Sequence, residues 1–151
     1  MKDNDILIKV CCDVFESLSF MFGEAVDLDE VESDLESFIN VTIFYKGDRA
    51  GLINLIVSAE TANSLAYNIL GIDADEVDLP IESSMDALKE LLNTICGQFL
   101  TSRFGDEPVF DLTVPETKII LLDEWQESVD SGNFLALNVD DEPILIKSII
   151  E

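Results

Sequence analysis

Between residues 84 and 104 apolar side chains recur every three or four positions, and that period commits the segment to a long helix with one buried face. At about 100° per residue, Leu88, Leu92, Ile95 and Phe99 share that face. Gly105 and Pro108 end the run. A helix of this kind needs an apolar layer beneath it, and the flanking sequence supplies strands. Phe38–Tyr45 and Leu52–Val57 are rich in β-branched and aromatic residues, and Gly47-Asp48 between them is a hairpin turn signal. Ser58 can cap a short helix over about 59–70, which Gly71 can close.

The rest of the chain reads in the same terms. Asp3, Asn4 and Asp5 offer cap oxygens for a first long helix over about 5–22, ended by Gly23. The acidic segment 24–36 reads as a solvated loop leading into an edge strand. Residues 73–80 form an acidic connector that stops at Pro80. A strand is expected near 109–114, and 115–131 carries no decisive pattern. A final hairpin is placed at Phe134–Val139 and Ile144–Ile150, turning at Asp140 to Pro143, with Pro143 at the start of a strand. This order predicts an α+β fold: two long helices packed on a mixed or antiparallel sheet, with a weak internal repeat. No linker interrupts it, so one domain over residues 1–151 is expected.

Charge narrows the function. The 151 residues include 32 acidic and 8 basic side chains, for a net charge of −24. Nucleic acid and anionic membrane surfaces need clustered Lys and Arg, so neither is expected as a partner. The chain is 48% apolar, which distinguishes it from an acidic disordered tail. It has no histidine, which removes Ser-His-Asp and Cys-His nucleophile systems and His-bearing metal sites. Cys11, Cys12 and Cys96 form no disulfide framework and read as buried thiols in a reducing cytoplasm. There is no basic segment followed by an apolar run, so no signal peptide is expected. The apolar runs are far shorter than the roughly 18 residues of a membrane span. Asp73-x-Asp75-x-x-Asp78 faintly suggests a calcium loop but lacks its turn glycine and closing glutamate.

The chemistry concentrates on the second long helix. Asp86, Glu90, Asn93 and Gly97 stand at i, i+4, i+7 and i+11, opposite the apolar face. An acid and an amide are thus held one turn apart on a rigid element, and Gly97 leaves the surface low beyond them. Such a face can dock a partner closely. A neutral amide can orient a water beside a phosphoryl group without the repulsion a carboxylate would feel. Other readings stand beside this one. Ser83 and Asp86 fit a capping box, Glu90 and Asn93 could be ordinary solvated residues, and helix-on-helix packing could explain Gly97.

Asp86-x-x-x-Glu90-x-x-Asn93 resembles the Asp/Ser-x3-Glu-x2-Asn motif of the CheX/CheC/FliY chemotaxis phosphatases, and the continuation to Gly97 is similar to CheX. The resemblance implies a phosphatase acting on a phosphorylated CheY-type response regulator. It implies that Asn93 orients the attacking water, that Glu90 pairs with a lysine of the regulator, and that Asp86 is accessory. Mg²⁺ would sit on the regulator and no cofactor on this chain. It also implies a homodimer joined through the sheets, a role that the apolar strands at the end of the chain would suit. The matching stretch of the first helix, Cys12-x-x-x-Glu16-x-x-Ser19, keeps the acid but lacks the amide, so that helix is expected to be catalytically silent. The alternatives are a non-catalytic regulator-binding module and a switch-complex adaptor.

Overall fold

In the computed structural model, which describes residues 2–151, the chain runs α1 (Asp3–Ser19), β1 (Gly23–Val26), a 3₁₀ turn at Leu28–Glu30, β2 (Ser37–Gly47), β3 (Gly51–Ser58), α2 (Ala59–Leu70), α3 (Ile81–Phe104), β4 (Phe110–Leu112), β5 (Glu116–Leu121), α4 (Leu122–Asp130), β6 (Leu135–Val139) and β7 (Glu142–Ile150). The seven strands form one sheet in the order β1-β6-β7-β3-β2-β4, with β5 also pairing β2. All the strand pairs are antiparallel. With four helices on this sheet, the fold is α+β.

Alternation along the strands makes two faces. Ile39, Val41, Ile43, Ile53, Leu55, Val57, Leu137, Ile144 and Ile146 are buried toward α1, α2 and α3, and make the main core with Leu7, Phe15, Leu65, Leu88, Leu92, Ile95 and Phe99. Phe38, Ile56, Ile120, Ala136 and Leu145 belong to a second, smaller core with Trp125 of α4. The Trp125 and Phe38 rings stack at 4.5 Å between centroids and 10° between planes. Truncating so large a buried ring to Ala costs about 3–5 kcal/mol in typical cores. The sheet backbone also comes very close at Gly51. A Cβ there would lie 2.1 Å from the Ile149 carbonyl oxygen, so no larger residue fits.

Several expectations are met, and others shift for physical reasons. The hairpin of β2 and β3 forms, and Ser58 caps α2 by accepting a hydrogen bond from the Thr61 N–H while Gly71 closes it at φ 68°. The first helix stops at Ser19, earlier than expected. Phe20 takes a left-handed conformation (φ 57°), and the Met21 N–H reaches back to the Phe15 carbonyl. Met21 is then buried and Phe22 exposed, while Gly23 opens a strand. Asp3 and Asp5 lie in the first turn of α1, where they favour the helix dipole, and do not cap it. The edge strand is Gly23–Val26, so the first residues of the acidic segment 24–36 pair in the sheet rather than forming loop, and the strand after that segment is interior to the sheet.

The featureless stretch 115–131 holds β5 and α4. Its signals were a short β-branched run and the spacing of Leu122, Trp125 and Val129. The last hairpin turns tightly at Asp140 (φ 48°) and Asp141 (φ 68°), so β7 resumes at Glu142 and Pro143 is its second residue. Both strands of that hairpin lie inside the sheet. They are therefore not available as edges to join a second copy, contrary to expectation. The edges are β1 at one end and β4 and β5 at the other.

Candidate functional site

α3 begins at Ile81, three residues before the expected start, with Pro80 at its N-terminal boundary and no side-chain cap. Ser83 and Asp86 therefore lie inside the helix, and the capping-box reading of Asp86 falls. Proline suits this boundary because the first N–H groups of a helix have no internal partner. The helix contacts both α1 and α2 as well as the sheet. Leu88, Leu92, Ile95 and Phe99 are fully buried, and Cys96 and Leu100 are buried beside them. What remains for solvent is a narrow stripe.

That stripe carries the predicted residues. Asp86, Glu90 and Asn93 are exposed and Gly97 is half-buried. The rise of an α-helix separates Glu90 from Asn93 by about 4.5 Å along the axis and from Asp86 by about 6 Å. The ion pairs among the described residues are Lys9 with Asp13, Arg103 with Asp3, and Lys118 with Glu124. None of them engages this stripe, so Asp86 and Glu90 present free carboxylates. A Cβ at Gly97 would meet nothing within 4 Å. Packing within the chain therefore does not require glycine there, and the helix-packing explanation of Gly97 falls.

The first helix treats its matching positions differently. Glu16 is exposed and Cys12 half-buried, but Ser19 is fully buried. Its hydroxyl donates to the Phe15 carbonyl at 2.6 Å. Burial raises the Cys11 thiol pKa well beyond its ordinary value and pushes Cys96 up to about 12, so both thiols stay protonated and inert at neutral pH. Cys12 is less enclosed than expected, and burial raises its pKa as well.

The surface around α3 is shallow rather than enclosed. A groove of about 160 Å³ lies between α2 and α3, lined by Ala66, Ile69, Leu70, Ser83, Asp86, Ala87 and Glu90. Sequence reasoning missed it, because nothing in either helix alone reports their spacing. A larger hollow of about 530 Å³ is lined by Glu32, Ser33, Asp34 and Gln126, away from α3. Its open, acidic lining lacks the apolar enclosure of a small-molecule site. Among the described residues no group of three or more metal-ligating side chains is disposed to hold an ion. Among the described residues no helix is long and apolar enough to cross a membrane. What the stripe offers is an acid, an amide and a low helix surface, all facing outward on rigid backbone.

Comparison with known proteins places the fold. The fold is similar to a chemotaxis protein CheX from Desulfovibrio desulfuricans, with a TM-score of 0.72 and 12% identity over 100% of both chains. It is similar to CheX in a CheX–CheY–BeF₃–Mg²⁺ complex from Borrelia burgdorferi, with a TM-score of 0.68 and 19% identity over 99% of this chain and 98% of that one. FliY of Thermotoga maritima is more distant, with a TM-score of 0.56 and 12% identity over 95% and 88% of the two chains. No curated protein matches the sequence. The family model described as chemotaxis phosphatase CheX matches residues 39–119, a span that begins in β2, contains the whole of α3 and ends in β5. By that match the chain belongs to the CheX family of chemotaxis phosphatases.

Proposed function

We propose that this protein hydrolyses the aspartyl phosphate of a CheY-type response regulator. The observation that carries the proposal is the outward stripe of Asp86, Glu90 and Asn93, with bare Gly97 one turn beyond. Docking would lay this stripe across the regulator's phosphorylation site. The Asn93 side-chain oxygen would accept a hydrogen bond from a water and align its lone pair with the phosphorus, opposite the bond to the aspartate oxygen. Water then adds as that bond breaks, leaving inorganic phosphate and the regulator's free carboxylate. Catalysis of this kind rests on position and electrostatics rather than on a covalent intermediate. Glu90 would hold a lysine of the regulator, fixing the register of the two proteins. Asp86 would be accessory, adding negative charge beside that pair. Mg²⁺ would be held by the regulator, whose phosphoryl oxygens it neutralises.

The same reading includes a homodimer in the cytoplasm, where free thiols persist. The surface that suits the dimer is β5, whose outer edge is unpaired and whose Ile119 and Leu121 are 50% and 61% exposed. The test of function is phosphate release from phosphorylated CheY-type receiver domains of the same organism with Mg²⁺, comparing wild type with Asn93→Ala. Acceleration by wild type and not by the variant is expected. Binding without acceleration would replace catalysis by a regulator-binding role, and absence of binding would leave the stripe as ordinary surface.

A further inference from the structure

We infer that the groove between α2 and α3 is a specificity subsite that receives an apolar side chain of the regulator next to the cation bound by Glu90. The inference rests on the phosphatase reading above and adds where the partner's identity is read. The groove is continuous with the catalytic stripe, because Asp86 and Glu90 belong to both. Its floor is made low by two alanines, Ala66 and Ala87, that are 1% and 6% exposed. Ile69 and Leu70 form an aliphatic wall, and Leu70 is 54% exposed, so it offers its apolar surface to solvent in the free protein. The volume of about 160 Å³ compares with the ~150 Å³ apolar cavity that accommodates a benzene ring. One aliphatic or aromatic side chain therefore fits.

Charge decides what flanks that side chain. The two carboxylates stand at the rim, and among the described residues no cation is paired to them. An acidic or uncharged neighbour would leave both unpaired, whereas a lysine pairs Glu90, with Asp86 adding to the attraction, while its apolar neighbour fills the floor. Large side chains in such a pocket would carry much of the discrimination, since the stripe itself recognises chemistry common to all phosphorylated receivers.

The test is steady-state dephosphorylation of the receiver domain that wild type acts on best. It compares wild type, Leu70→Ser, which removes the wall, and Ser83→Phe, which fills the mouth from a half-buried position. Binding of each protein to the same receiver is measured in parallel by calorimetry. Thermal melts establish that both variants fold. Each should raise KM about tenfold, the low end of what an apolar subsite contributes, with kcat within twofold of wild type. An unchanged KM in both variants overturns the subsite and leaves the phosphatase reading intact. A fall in kcat with KM unmoved also overturns it, because the groove would then act on chemistry rather than on recognition. If wild type neither binds nor dephosphorylates any receiver of its organism, the function and the subsite fall together. If wild type binds without hydrolysis and the variants weaken that binding, the subsite stands and the phosphatase reading falls.

Discussion

The two long helices carry the same spacing of residues and meet opposite fates. On α3 the acid and the amide at i+4 and i+7 are both exposed, and the helix continues for three turns past the amide. On α1 the acid Glu16 is exposed, but Ser19 at the third position is the last residue of the helix and fully buried. Its hydroxyl is held by the Phe15 carbonyl, so it cannot serve a partner. A motif defined by spacing specifies only a helical face. Whether that face looks outward depends on where neighbouring helices lie and where the helix stops. Here the left-handed turn at Phe20 ends α1 at the position where a third functional group would need support.

The largest expected effect sharpens this contrast. Asn93→Ala should lower kcat/KM for dephosphorylation by about 10²–10³-fold, the range for losing one preorganised transition-state contact. The melting temperature should stay near wild type because Asn93 is exposed. Adding Ser19→Asn to that variant should restore nothing and should destabilise the fold, since the larger amide would have to enter a buried site. Recovery of activity in the double variant would mean that α1 retains a competent surface. Next in size is Glu90→Ala. A hydrogen bond to a charged group contributes about 1.5–3 kcal/mol, so roughly ten- to a hundredfold should be lost, shared between KM and kcat. An effect confined to kcat would contradict the assignment of Glu90 to the partner's lysine.

How far the sequence discloses this molecule depends on whether a feature is local. The buried face of α3, the β2–β3 hairpin and both boundaries of α2 follow from periodicity, a cap serine and turn glycines. These are short-range preferences that tertiary structure here reinforces. The end of α1 could not be read because Gly23 is a stronger stop signal than Phe20, yet Phe20 adopts the left-handed turn. α4 was hidden because nine residues give one buried side chain, Trp125, and little period to detect. At the site, the stripe was legible because one helix carries all of it. The groove was not, because it exists only where α2 and α3 meet.

Gly97 offers a separate handle on why the α3 face is open. Its missing Cβ faces empty space, so Gly97→Ala should stabilise the fold by up to about 1 kcal/mol, the helix-interior difference between the two residues. Gly97→Trp should fold as well but weaken regulator binding severalfold, because the partner's surface would be held away from Asn93. If the tryptophan variant binds normally, close approach at Gly97 is not needed and the contact surface ends nearer Asn93.

The helices agree in one respect that pH can expose: each buries a thiol, Cys11 in α1 and Cys96 in α3. In the unfolded chain these thiols ionise near their ordinary pKa of 9.0, whereas in the fold burial holds them protonated, Cys96 to about 12. Above pH 9 the unfolded state therefore binds fewer protons than the native state, and stability must fall as pH rises toward 12. Denaturant midpoints measured across that window should decline, and less steeply in Cys96→Ala. A flat profile from pH 9 to 11 would mean that these thiols are not sealed in the core.

The smallest expected effect is the most informative about the two faces. Glu16 is exposed and matches Glu90 in its place within the motif. It could offer the same carboxylate to a lysine. Without an amide at Ser19, however, a regulator bound there would have no residue to orient the attacking water. Glu16→Ala should therefore change kcat/KM by less than about twofold, in line with removing a solvated surface charge. A modest rise in KM alone would mean that α1 helps to dock the regulator without acting on it. Loss as deep as that of Asn93→Ala would reverse the assignment of the active helix. The exposure of the α3 stripe would then be a property of the fold rather than of its chemistry.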